Sequence, residues 1–366
     1  METKVFNSQR LRLARSRRKM TSQALAAMAK ISPVTLSRLE NKNNQPEEDT
    51  VKALAKALKY PEDFFYGDDL DEVDKDDASF RSLKAMTAKE RNSALGAASL
   101  AFLIADKIEK DFGLPEVNIP NLSHEDSPSA AAATLRAYWG IGDRPIGNMI
   151  DLLEAKGVRV FSLTEQTVRV DAFSCWRRGV PFVFLNTLKS SEHSRFDAAH
   201  ELGHLCLHQH GGSKHKSAEP EANAFAGSFL MPSSDVRSKI SRIYSLGEIQ
   251  KHKKRWGVSL AALTYRLSKM GILSEWQARS YFIQMNKDGT RKNEPDPMPF
   301  ETSHIWRSVF QGYWKDKITK SHLALQLHVP EDEFESLVFG LAIEAFSPSK
   351  QHYGDGFLNL AVNNEL

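Results

Sequence analysis

The sequence predicts a mainly α protein with one small α+β domain, preceded by an all-α domain at the N-terminus. Three observations carry this expectation. Residues 7–66 hold five short runs whose apolar residues recur at helical spacing. Between 158 and 186 the period changes to short Val- and Phe-rich runs divided by charged or glycine-containing turns. From 192 onward helical patterns return and dominate. A chain of 366 residues is too long for one ordinary core, so several domains are expected.

The first domain is placed at 1–67, where Leu11, Leu25, Ile31, Leu36, Leu39, Val51, Leu54 and Leu58 supply a small core. The acidic run GDDLDEVDKDD at 67–77 reads as a solvated linker, and with the helical pattern at 80–112 it forms a connector over 68–130. Prolines and serines at 117–133 make a loop leading into the helix TLRAYWG. IGNMIDLLEAKG is a helix closed by Gly157. VRVFSL, RVDAFSCW and PFVFLN are the strands of the α+β domain, taken as 131–235 with helices at 192–209 and 217–231. A helical segment at 236–290 and a helical region of unassigned role at 291–366 complete the chain.

Hydrophobic content of 41% and charged content of 26% suit a globular protein, and a net charge of +3 gives no global sign of nucleic acid. The distribution is more informative. Residues 1–42 carry ten Lys/Arg against Glu2 and Glu40, a net charge of about +8. Two cysteines, Cys175 and Cys206, provide no disulfide framework. The longest apolar stretch, 94–105, is too short to span a bilayer and reads as a buried helix. A cytoplasmic protein without membrane association is expected.

AAHELGHLCLH at 198–208 carries the chemistry. On a helix His200 and His204 stand about 40° apart in angle and roughly 6 Å apart along the axis, so both imidazoles reach one ion at the ~2.0–2.1 Å that zinc prefers. Glu201, rotated by about 100°, is left free to take the proton of a metal-activated water. Phe196, Ala199, Leu202 and Leu205, with Leu207 at the margin, give this helix an apolar side. A chain this long contains one HExxH by chance on the order of once in a hundred. Six of the twelve histidines (193, 200, 204, 208, 210 and 215) crowd into 23 residues, which favours a site over a solvated helix.

A third protein ligand is needed, with one position kept open for water. Glu219 leads, with His210, His215 and Glu221 as alternatives. His210 fits the spacing of HExxHxxGxxH, but Leu207 stands where that pattern needs glycine. His208 reads as a structural residue closing the helix. Ser217 is the expected N-cap of the second helix, Pro220 lies in its tolerated first turn, and Ala222, Phe225, Ala226 and Phe229 form its buried stripe. Asn223, one turn beyond Glu219, is placed to orient a ligating histidine by accepting its free N–H.

RFDAAHELGHLCLH followed by EPEANAFAGSFLMP resembles the ImmA/IrrE family of metallo-endopeptidases, and the likeness extends over about 130–295. The resemblance implies a gluzincin-like, zincin-type site with His200, His204 and Glu219 holding Zn2+ and Glu201 as general base. Pro220 after Glu219 departs from the family's usual residue.

SQALAAMAKISPVTLSRLENK resembles the XRE (Cro/repressor-like) helix-turn-helix. In such a motif the second helix enters the major groove of double-stranded DNA. Ser32, Pro33, Val34, Thr35 and Arg38 would face bases, and Arg15, Arg17, Arg18 and Lys19 would contact phosphates. Lys30 occupies the usual glycine of the turn, and Ser22 the usual glutamine. KHKKRWGVSLAALTYRLSKMG at 251–271 has a related rhythm; packing beside the peptidase-like domain is the first reading, nucleic-acid contact the second.

The function expected from these parts is a DNA-binding transcription regulator, acting as a homodimer on an operator. Its zinc-dependent endopeptidase domain would cleave a partner repressor in a stress response, with a strand near 181–186 aligning the extended substrate. The alternative is a regulator or antitoxin whose peptidase-like domain senses a ligand or partner without proteolysis.

Overall fold

The computed structural model describes residues 5–73, 87–163, 172–209 and 217–342. Four helices open the chain: α1 (Ser8–Arg17), α2 (Ser22–Met28), α3 (Pro33–Glu40) and α4 (Glu48–Leu58). Asn7, Thr21 and Ser32 cap the first three by accepting backbone N–H groups, and Pro33 takes the first helical position of α3. The expected core residues are buried, Ile31 only partly. A 3₁₀ turn, Glu62–Tyr66, adds buried Phe64 and Phe65.

The acidic segment is not a solvated linker where it is described. Leu70 and Val73 are buried, and Asp71 pairs with Arg177 and Arg178. The apolar alternation within the charge run anchors it; residues 74–77 lie outside the described residues. The connector becomes a single 24-residue helix, α5 (Ala88–Asp111), opened by a capping box between Thr87 and Glu90. One end of α5 packs on α1, and Phe102 further along meets Phe182, ring centroids 4.7 Å apart.

Helices α6 (Pro128–Tyr138) and α7 (Met149–Ala155) lead to β1 (Arg159–Leu163), β2 (Ala172–Arg177) and β3 (Val180–Asn186). Gly157 closes α7 at φ +81 as expected. The sheet order is β1-β3-β2, with β3 parallel to β1 (Phe161 beside Phe184) and antiparallel to β2 (Cys175 beside Phe182). This corrects the expectation that the strand at 181–186 aligns a substrate. It is β3, its backbone groups are taken on both sides, and the edge beside the HExxH helix belongs to β2.

Helix α8 (Ser191–Leu207) packs on β2, β3 and the antiparallel α9 (Ala218–Leu230), which in turn packs on α6. Then come α10 (Ser233–Lys239), α11 (Leu246–Lys253), α12 (Leu260–Lys269) and α13 (Glu275–Lys287). The last three helices, α14 (His304–Lys315), α15 (Lys320–Gln326) and α16 (Glu331–Ala342), give the region of unassigned role a structural one up to residue 342; 343–366 lie outside the described residues. α16 covers β1 and reaches α5, while α14 meets α7. Among the described residues no helix is long and apolar enough to cross a membrane.

Candidate metal centre

The HExxH segment lies in the C-terminal half of α8, whose Ser190 cap accepts the His193 N–H. Ala199, Leu202, Leu205 and Cys206 are buried and turn the histidines toward α9. Gly203 lets the two helices approach: a Cβ there would stand 3.1 Å from Phe225 Cδ1 and 3.3 Å from Ala222 Cα. Phe225, Ala226, Ala222 and Phe229 form the buried stripe of α9 as expected. Ser217 precedes α9, but its hydroxyl makes no capping bond.

This packing brings together His200, His204 and Glu219. The two Nε2 atoms are 3.1 Å apart, and Glu219 carboxylate oxygens lie 3.4 Å from His200 Nε2 and 3.5 Å from His204 Nε2. Tetrahedral bonds of ~2.0–2.1 Å place neighbouring ligand atoms about 3.3 Å apart, so the donor set fits zinc. Burial alone would push the Glu219 carboxyl up; hydrogen bonds from the two imidazoles outweigh it and hold the group well below the usual carboxylate range. His200 Nδ1 lies 3.1 Å from Asn223 Oδ1, where a ring N–H would donate to the amide oxygen.

Glu201 is only 1% exposed and accepts a 2.6 Å hydrogen bond from Ser174 Oγ on β2. Ser174 escaped the sequence reading; its signal was a hydroxyl set among apolar residues in AFSCW. Asp197 lies one turn before Glu201, its Oδ2 3.4 Å from His193 Nε2, and burial pushes its carboxyl up to about 6. Of the alternative ligands, Glu221 turns to His208 Nε2 at 2.9 Å, and His210 and His215 lie outside the described residues.

In the N-terminal domain Ser32, Pro33, Val34 and Thr35 at the start of α3 and Arg38 in its last turn are all exposed. Three of the residues expected at phosphates have partners within the protein. Arg15 is tied to Glu40 at 2.5 Å, Arg17 to Glu333 at 2.7 Å and Arg18 to Asp332 at 2.6 Å, so three guanidiniums face protein carboxylates. The charge count was right, but the partners of these arginines are distant in sequence. Lys19 is half-buried at φ 52. In the segment 251–271, Lys253 is buried between Glu192 and Glu294, Lys254 pairs with Asp296 and Arg255 with Asp235. Packing buries Lys253, while Lys251, Lys254 and Arg255 stay exposed.

Residues 153–268 match the model of a family described as the IrrE N-terminal-like domain, and residues 11–65 match that of a helix-turn-helix family. No curated protein matches the chain. The polypeptide thus joins a segment like the XRE-type helix-turn-helix to one like the IrrE/ImmA peptidase family, which is the fusion its sequence resembles.

Proposed function

We propose that the protein is a DNA-binding regulator whose second half is a zinc-dependent endopeptidase acting on a partner regulator protein. The observation that carries this reading is the convergence of His200, His204 and Glu219, from two helices, beside a buried Glu201. His200, His204 and Glu219 would hold the zinc, which would supply Lewis-acid activation of a water and of a peptide carbonyl. Glu201 would take the proton of the attacking water and return it to the leaving amine, and Ser174 Oγ holds its Oε2. Asn223 keeps the His200 ring in register. The edge of β2, next to α8, aligns an extended peptide through backbone hydrogen bonds. The exposed end of α3 reads operator DNA, and a homodimer supplies paired half-sites.

The test is zinc quantification on the purified chain and on His204→Ala, followed by incubation with neighbouring regulators and a mixed peptide library read by mass spectrometry. One equivalent of zinc in the parent and little in the variant is expected. Glu201→Gln should retain zinc and lose cleavage; cleavage that survives this substitution overturns the mechanism. Bound zinc with no cleavage of any substrate overturns the enzymatic reading in favour of a sensing domain.

A further inference from the structure

Beyond the three ligands, the end of α8 carries a chain of contacts that the hydrolytic chemistry does not use. His204 Nδ1 lies 3.0 Å from His208 Nδ1, and His208 Nε2 lies 2.9 Å from Glu221 Oε2. We propose that His208 and Glu221 are positioning residues that fix the ring of His204 and link the metal centre to the protein surface through a His204–His208–Glu221 chain. The inference rests on the reading of His200, His204 and Glu219 as zinc ligands.

The proton positions follow from the geometry. His204 presents Nε2 to His200 and Glu219, so Nε2 is its ligand atom and must be unprotonated when metal binds. Its proton therefore sits on Nδ1. A contact of 3.0 Å between two ring nitrogens is a hydrogen bond only when one donates, so His204 Nδ1–H donates and His208 Nδ1 accepts. The reverse tautomer would move the His204 proton onto Nε2, where a metal ligand cannot carry it. His208 then keeps its proton on Nε2 and donates to Glu221, an ionised acceptor. Both nitrogens of His208 are committed, so it serves as neither ligand nor base.

The placement of the two residues suits this role. His208 follows the last turn of α8, its backbone N–H bonded to His204 O at 3.0 Å, and its side chain is 6% exposed. Glu221 stands in the first turn of α9 with its side chain 40% exposed, where a carboxylate is also favoured by the helix dipole. One short stretch of α9 thus provides a ligand in Glu219, an anchor for His200 in Asn223 and an anchor for His204 in Glu221 through His208. An imidazole ligand whose distal N–H is accepted is better oriented and a stronger donor, and removing such partners costs about 10- to 100-fold in metal affinity.

The experiment measures zinc affinity of the full chain by competition with a chromophoric chelator, and the visible absorption of its cobalt(II) form. Glu221→Ala should weaken zinc binding about tenfold and His208→Phe by up to about 100-fold. Glu221→Gln, whose carbonyl still accepts from His208, should stay near the parent. Altered cobalt absorption should accompany the loss in His208→Phe. A purely structural role would lower the melting temperature of metal-free and zinc-loaded protein equally and leave zinc affinity unchanged; that outcome overturns the proposal. If His208→Phe fails to fold, Glu221→Ala against Glu221→Gln still decides. A parent chain that binds no zinc removes the ligand reading itself, a result distinguishable from parent-like affinity in the variants.

Discussion

Lys30 shows how a single side chain can contradict a local rule and persist. It follows the C-cap of α2 at φ 55, in the left-handed region where its Cβ crowds the following carbonyl. The N–H of the next residue, Ile31, reaches back to Ala26 O at 3.0 Å, so the turn forms despite the lysine. Glycine removes the steric cost but adds freedom to the unfolded chain, and the balance favours the folded state at such a site. Lys30→Gly is expected to stabilise the protein by about 0.5–1 kcal/mol, and Lys30→Val to destabilise it by about 1 kcal/mol. Urea unfolding midpoints at unchanged slope check both, and a loss of stability in the glycine variant would show that the lysine makes a compensating contact.

At the scale of elements, the start of α14 is held by acidic residues of α7. Glu154 accepts hydrogen bonds from Ser303 Oγ and Ile305 N, and Asp151 accepts from His304 N. Burial pushes the Glu154 carboxyl up from 4.5 to about 8. The folded state therefore keeps a proton that the unfolded chain has already released, and stability falls as pH rises from about 4.5 through 8. The slope for one such group is at most ~1.4 kcal/mol per pH unit. Asp197, raised to about 6, acts with the same sign lower down and His200 is raised above 6.5, so the difference between parent and Glu154→Gln, not the parent curve alone, reports Glu154 from pH 7 to 8. Glu154→Gln should flatten the fall of the urea midpoint across that interval, and an identical fall in both proteins would place the titration elsewhere. Elements of this kind were legible in the sequence to the extent that their cause is local. The period of α8 and α9, the close of α7 at Gly157 and the three strand runs all follow from neighbouring residues. Strand order did not, although a signal existed: Arg178 and Gly179, at φ 50 and 80, make a two-residue hairpin turn in WRRGVPF that forces β2 beside β3. Ser174 on Glu201 and Asp151 on α14 depend on packing between segments far apart in the chain, which no local pattern encodes.

At the scale of the whole molecule, the N-terminal domain is docked onto the rest of the chain by charge as well as by apolar contact. Glu333 of α16 is 3% exposed in its side chain and receives Arg17 at 2.7 Å, Arg18 at 3.4 Å and the Tyr60 hydroxyl at 3.1 Å. Arg17 also donates to Ser93 O on α5 at 2.8 Å. The other end of α16 is seated on the sheet, where a Cβ at Gly340 would meet Thr187 and Ser162 side chains at 2.3 and 2.4 Å. One helix thus joins the N-terminal domain to the strand layer beneath the candidate metal centre, while the start of α3 stays exposed. Removing one member of a buried ion pair leaves the other charge unpaired at a cost of ~3–5 kcal/mol, whereas replacing both by apolar groups is far milder. Glu333→Ala is therefore expected to lower stability by about 3–5 kcal/mol, and Arg17→Leu combined with Glu333→Leu should recover most of that loss. Because Arg17 is spent on this contact, the double variant should also keep the salt dependence of operator binding, whereas Arg38→Ala weakens the affinity. A slope that drops by about one in the double variant would mean that Arg17 reaches a phosphate in the complex, and that the docked arrangement opens when DNA binds.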